Sequence, residues 1–147
     1  MRQMLILFIL SLTFLTCSTQ KPKIKYKEFN SIMNRHVDTL LNSYDANANK
    51  YSLLTFTEGF ENHLIIVVNN NDTIHKGFLL SDKSMGWAKT YRINNKFNTK
   101  IIDLDIDYTF VIKSKYSQSY KNIYIKRNSK KNRSYTITFS NTYQDFY

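Results

Sequence analysis

The sequence predicts a mainly β, α+β domain in which one N-terminal amphipathic helix packs on an antiparallel β-sandwich or open barrel of about eight strands. Three observations point to it. Between residues 29 and 44 apolar residues recur at three- and four-residue steps, the period of a helix with one buried stripe. From Tyr51 onward they alternate in short runs rich in β-branched and aromatic residues, the pattern of half-buried strands. Clusters of Asn, Asp, Ser and Gly punctuate those runs at the close spacing of an all-β fold.

In the helix the stripe is Phe29, Ile32, Met33, Val37, Leu40, Leu41 and Tyr44, with Asn30, Asn34, Arg35 and Asp38 opposite. About 17 residues fit this period. His36 lies at the edge of the stripe and reads as a boundary residue. Turn-formers at 45–49 end the helix. The eight strands are expected at residues 51–57, 63–68, 73–80, 87–93, 100–106, 109–114, 122–127 and 134–139. Residues 63–68, HLIIVV, are apolar on both faces and so should be central, with the helix over one side. Glycine is scarce, with three in the chain. Asn, which tolerates the left-handed conformation, can serve in place of the scarce glycines at the turns.

Ahead of the domain, Met1-Arg2-Gln3 is followed by an uncharged apolar run at 4–16 and then by the sole cysteine, Cys17. Thirteen helical residues rise about 20 Å, short of a hydrocarbon core of about 30 Å. A basic tip, a short apolar core and a polar stretch from Ser18 make a secretory leader. With Phe14, Leu15 and Thr16 before Cys17 and Ser18-Thr19-Gln20-Lys21 after it, the segment resembles a bacterial lipoprotein signal of the Bacteroidetes type. That resemblance covers residues 1 to about 20, and no family is recognised for the rest. It implies that Cys17 is acylated and becomes the first mature residue. An exported chain with one thiol has no internal disulfide partner, which agrees with an attachment point. The expected organisation is a signal peptide at 1–16, a lipidated tether at 17–26 and one domain at 27–147.

Cleavage leaves 131 of the 147 residues, enough for one core. Loss of Arg2 takes the formal charge from +10 to +9. Such a balance favours anionic partners, among them acidic glycans, lipid headgroups and nucleic acid. Export disfavours the last. Lys, Asn, Ile, Tyr and Phe share A/T-rich codons, so base composition can supply part of the basicity.

Three constellations have chemical potential. In DLDID, Asp103, Asp105 and Asp107 would lie on one face of a strand about 7 Å apart. An EF-hand is excluded, because Tyr108 and Ser114 stand where the loop needs Gly and Glu. The three carboxylates are weak metal candidates and read first as a solvated face opposite Lys113 and Lys115. The second constellation is the cationic, tyrosine-rich region from residue 108 onward, with Tyr116, Tyr120, Lys121, Tyr124, Lys126, Arg127, Lys130, Lys131 and Arg133 as a candidate binding surface. Alternation of Ile123, Ile125, Tyr135, Ile137 and Phe139 assigns part of that aromatic content to the core instead. Third, Trp87 follows the flexible Gly86 and would share a core face with Tyr91 and Ile93, or else present a ligand platform. His63 and His75 could pair across a hairpin, but two histidines alone do not make a zinc site.

No serine elbow, His-Glu helix motif or phosphate-binding glycine loop occurs. The expected function is therefore a small membrane-anchored envelope lipoprotein with a non-enzymatic binding or assembly role. Its expected partners are the membrane, through the lipid, and a protein or anionic glycan; no cofactor is expected. One alternative is a protective lipoprotein that blocks an enzyme, toxin or phage. Another is a small hydrolase built from Asp103, Asp105 and His75.

Overall fold

The computed structural model describes residues 21–29, 34–128 and 134–146. The leader, Cys17, residues 30–33 of the expected helix and the cations Lys130, Lys131 and Arg133 lie outside the described residues. Nine strands occur among them: β1 Lys23–Tyr26, β2 Tyr51–Phe56, β3 Glu61–Asn69, β4 Asp72–Leu80, β5 Lys89–Asn94, β6 Thr99–Asp103, β7 Tyr108–Ile112, β8 Asn122–Arg127 and β9 Tyr135–Ser140. Two helices accompany them, α1 Asn34–Ser43 and α2 Ser114–Ser119.

The strands form two sheets, one ordered β1-β9-β8-β2-β5 and the other β4-β3-β6-β7. The four-stranded sheet is antiparallel throughout. The five-stranded sheet is mixed, because β1 runs parallel to β9 and β2 parallel to β8. This corrects the all-antiparallel expectation. Both sheets turn one face to a shared core, in a sandwich-like arrangement. Leu54, Phe56, Ile123, Ile125, Ile137 and Phe139 come from one sheet, and Ile65, Val67, Leu79, Ile101, Phe110 and Ile112 from the other. Each such side chain contributes about 1.5–3 kcal/mol when fully buried. With no disulfide to assist, this burial is the main support of the fold.

The two-residue period explains the individual strands. In β3, His63, Ile65, Val67 and Asn69 point inward and are buried, whereas Leu64, Ile66 and Val68 are half-buried on the outer face. β3 is internal to its sheet, between β4 and β6, as its apolar run suggests. A bulge at Asn62, whose φ is 61°, interrupts the pairing with β4 between Glu61 and His63. Asn70 in the β3–β4 turn also has a positive φ of 61°. Asn thus takes left-handed positions at both places.

The expected helix packed on a sheet is not seen. Among the described residues α1 covers Asn34–Ser43, Lys27 to Phe29 are not helical, and Val37 to Ser43 are half-buried or exposed. Its end is well made: Asp45 has a φ of 49°, its N–H donates to Asn42 O at 3.0 Å, and that of Ala46 donates to Leu41 O at 2.8 Å. Only Ala46, beyond the helix, is buried. The stretch expected as tether also differs, since Lys23–Tyr26 is β1, an edge strand. Glu28 fastens it by accepting from the N–H groups of Asn141 and Thr142 and from two hydroxyls, bonds that hold its carboxyl below the ordinary carboxylate range.

Candidate functional site

Two features offer chemistry: a groove on the outside of the five-stranded sheet and a polar cluster inside one end of the sandwich. The groove arises because outward positions on three neighbouring strands are polar. β1 presents Lys23 and Lys25, β9 presents Thr136 and Thr138, and β8 presents Tyr124 and Lys126. Thr57, Glu58, Asn128 and Gln144 complete a concavity of about 390 Å³. Glu58 is its one carboxylate, and an ion pair with Lys126 already engages it. Three ammonium groups against one acid leave the groove cationic. Tyr124 forms part of its floor: the residue is buried, its ring meets Phe29 edge-on at 5.3 Å, and its hydroxyl accepts from Gln144 N at 2.8 Å. Burial pushes the Tyr124 phenol well above its ordinary pKa, so it stays neutral.

Most of the other expected surface residues have internal roles. Lys121 donates to Ala48 O at 3.2 Å and Tyr51 O at 3.0 Å, and also to Ala46 O. It fastens the segment after α1, and desolvation lowers its pKa. Tyr116 and Tyr120 lie over Phe139, with ring centroids 5.0 and 5.5 Å away, and close one edge of the core. Arg127 is 4% exposed and points into the sandwich. Trp87 does not join Tyr91 and Ile93 on the core face; its indole N–H donates to Thr90 Oγ1 at 3.1 Å, on the opposite side of β5. Of the binding residues expected from sequence and described here, only Tyr124 and Lys126 line the groove. Lys23 and Lys25 were missed because an edge strand that alternates Lys-Ile-Lys-Tyr looks like a solvated linker.

The three aspartates do not share a strand face. β6 ends at Asp103, whose Oδ1 accepts from the Asp105 N–H at 3.0 Å and turns the chain. Asp103 is fully buried, Asp105 is at the mouth, and Asp107 is exposed in a left-handed turn position with a φ of 49°. Around Asp103 Oδ2 gather the Tyr135 hydroxyl at 2.5 Å, Arg127 Nε at 3.5 Å and His63 Nδ1 at 3.5 Å. His63 Nδ1 is also 3.4 Å from Asp105 Oδ2, which accepts from Leu64 N at 2.6 Å. Burial, and then the contact with Asp103, raises the Tyr135 pKa well beyond the ordinary phenol range. Asp107 is not among these groups.

His75 is elsewhere, paired with Val67 across β3 and β4, so the two histidines do not face each other. Its ring lies against Tyr91 at 5.0 Å, and Nε2 is 3.2 Å from Gly77 O. The histidine beside Asp103 and Asp105 is thus His63, and not the His75 of the hydrolase alternative. Burial holds the His75 pKa below its ordinary value, with the Gly77 carbonyl opposing the shift and Lys89 adding to it. The unfolded chain then binds the proton more readily than the folded one. Stability conferred by the neutral ring is present above about pH 6.5 and is lost as pH falls through the lower folded pKa. The melting temperature should accordingly fall between about pH 7 and pH 5, and less steeply in His75→Phe, as calorimetry at both pH values will show.

Among the described residues no helix is long and apolar enough to cross a membrane. No protein-family model, curated protein or solved structure matches the chain.

Proposed function

We propose that the chain is an exported lipoprotein, anchored through Cys17, whose groove between β1, β9 and β8 binds an anionic glycan without transforming it. The groove is the observation that supports this reading most directly. Lys23, Lys25 and Lys126 supply cationic donors, Thr136 and Thr138 supply hydroxyls, and Asn128 and Gln144 supply amides. Ammonium groups suit sulfate, phosphate or carboxylate, and short hydroxyl and amide side chains suit sugar hydroxyls. A formal charge of +9 after leader removal strengthens the attraction at long range. Lys23 is six positions after Cys17, a span of at most about 22 Å, which would hold the groove close to the membrane.

The test uses the lipoprotein purified in detergent. Mass spectrometry should find Cys17 acylated at the mature N-terminus. Dextran sulfate should bind saturably while neutral dextran does not, and the affinity should drop with added salt. Changing Lys23, Lys25 and Lys126 together to Glu should weaken dextran sulfate binding at least tenfold, about 1.4 kcal/mol, without altering the circular dichroism spectrum. Equal binding of both polymers, or no effect of the triple change, sinks the glycan assignment. A bare Cys17 thiol sinks the anchor.

A second reading, a protective lipoprotein that occludes a protein partner, draws on the outer face of the four-stranded sheet. Phe78 is 62% and Val111 49% exposed there, beside half-buried Leu64, Ile66 and Val68. Substituting Phe78 by Glu separates the two, since it leaves the groove intact.

A further inference from the structure

The geometry points to a divalent transition-metal site, zinc by its donor set, formed by His63 Nδ1, Asp103 Oδ2 and Asp105 Oδ2. One ligand atom from each of these three residues lies within 4.8 Å of the other two. The imidazole nitrogen is 3.5 Å from the first carboxylate oxygen and 3.4 Å from the second. Two donors each about 2.1 Å from one tetrahedral ion are about 3.4 Å apart. Charge-assisted hydrogen bonds between imidazole and carboxylate would instead be about 2.7–2.9 Å. His63 is 9% exposed and its Nδ1 has no hydrogen-bond partner, although it is aimed between two carboxylates. A buried nitrogen in that position is costly as an orphan and natural as a ligand.

The surroundings fit as well. Metal-bound carboxylates are usually oriented by further hydrogen bonds. Here Tyr135 donates to Asp103 Oδ2, the Asp105 N–H to Asp103 Oδ1, and the Leu64 N–H to Asp105 Oδ2. The bulge at Asn62 and the turn begun by Asp103 are the local features that set His63 and Asp105 against each other. Arg127 neutralises part of the charge, with Nε 3.5 Å from Asp103 Oδ2. Two carboxylates against one guanidinium still leave a net negative charge when the imidazole is neutral, which a cation offsets. The Asp105 side chain is 44% exposed, so an ion can enter from solvent. Three protein donors leave a coordination position for water. The bound ion would clasp the β6–β7 turn to the start of β3.

The experiment uses the full chain in detergent, without an affinity tag and carrying Cys17→Ser so that the thiol cannot bind metal. After chelator treatment and desalting, it is titrated with Zn2+ by calorimetry and with Co2+ by visible absorption. The expected result is one ion per chain, with the intense visible bands of tetrahedral Co2+. His63→Ala and Asp105→Asn should each weaken uptake by at least about tenfold, whereas Asp107→Asn and His75→Ala should leave it unchanged. Asp105 is at the surface, so its variant remains informative if His63→Ala does not fold. Absence of stoichiometric uptake, or uptake that survives both ligand substitutions, overturns the site.

Discussion

Asp103→Ala is expected to destabilise the protein by about 3–5 kcal/mol, because it strands a buried guanidinium. Asp103 is fully buried and Arg127 is 4% exposed, so neither has water as an alternative partner. Removing the carboxylate also takes the acceptor from the Tyr135 hydroxyl and from the Asp105 N–H. Urea unfolding measures the loss. The decisive comparison is with Asp103→Ala/Arg127→Met. If the uncompensated charge dominates, the double variant is more stable than Asp103→Ala alone. If the two losses simply add, the pair does not have the coupling assigned to it. Both measurements belong in chelator, so that any bound ion is absent from the comparison.

Gly59→Ala should cost about 3 kcal/mol, far more than a glycine-to-alanine change on a surface turn usually does. Gly59 connects β2 to β3 with a φ of 91°, where a side chain is strained. A Cβ there would meet the Arg127 carbonyl oxygen at 2.0 Å, and that atom is backbone, with little room to yield. The contact is tight because Arg127 N donates to Glu58 O at 3.0 Å and draws the turn onto the end of β8. Gly77→Ala is the control. Its Cβ would approach only the His75 ring, at 3.2 Å, and its φ is ordinary, so the cost should stay below about 1 kcal/mol. A Gly59→Ala protein as stable as Gly77→Ala would contradict the close approach.

Legibility followed the range of the interaction. Residues 51–56 and 135–140 could be recognised as strands because short runs of β-branched and aromatic residues between turn-formers mark a strand even where, as here, it is buried along nearly its whole length. The short α2 escaped notice because six residues, SKYSQS, contain too little apolar pattern to define a period. The failed placement of the helix on a sheet has the opposite cause. An apolar stripe was present, but in the described part of α1 Val37, Leu40 and Leu41 are only half-buried, and an amphipathic period does not say what a stripe will face. Of the site residues, Lys126 and Tyr124 were accessible to reasoning about charge and rings. Lys23 and Lys25 were not, since a four-residue edge strand is held by its neighbour β9 and by Glu28, far more than by its own propensity.

The sequence by itself determined the mainly β character, the approximate positions of eight of the nine described strands, the exclusion of a disulfide framework and the positive charge, because each is a local or additive property of the chain. Only the tertiary structure decided that β1 and β2 run parallel to β9 and β8, that three lysines meet beside two threonines, and that His63 rather than His75 joins Asp103. Alternation marks which face a residue occupies but is the same for parallel and antiparallel neighbours. Partners about forty residues apart, such as His63 and Asp103, are brought together by strand pairing and by the turn at which β6 stops.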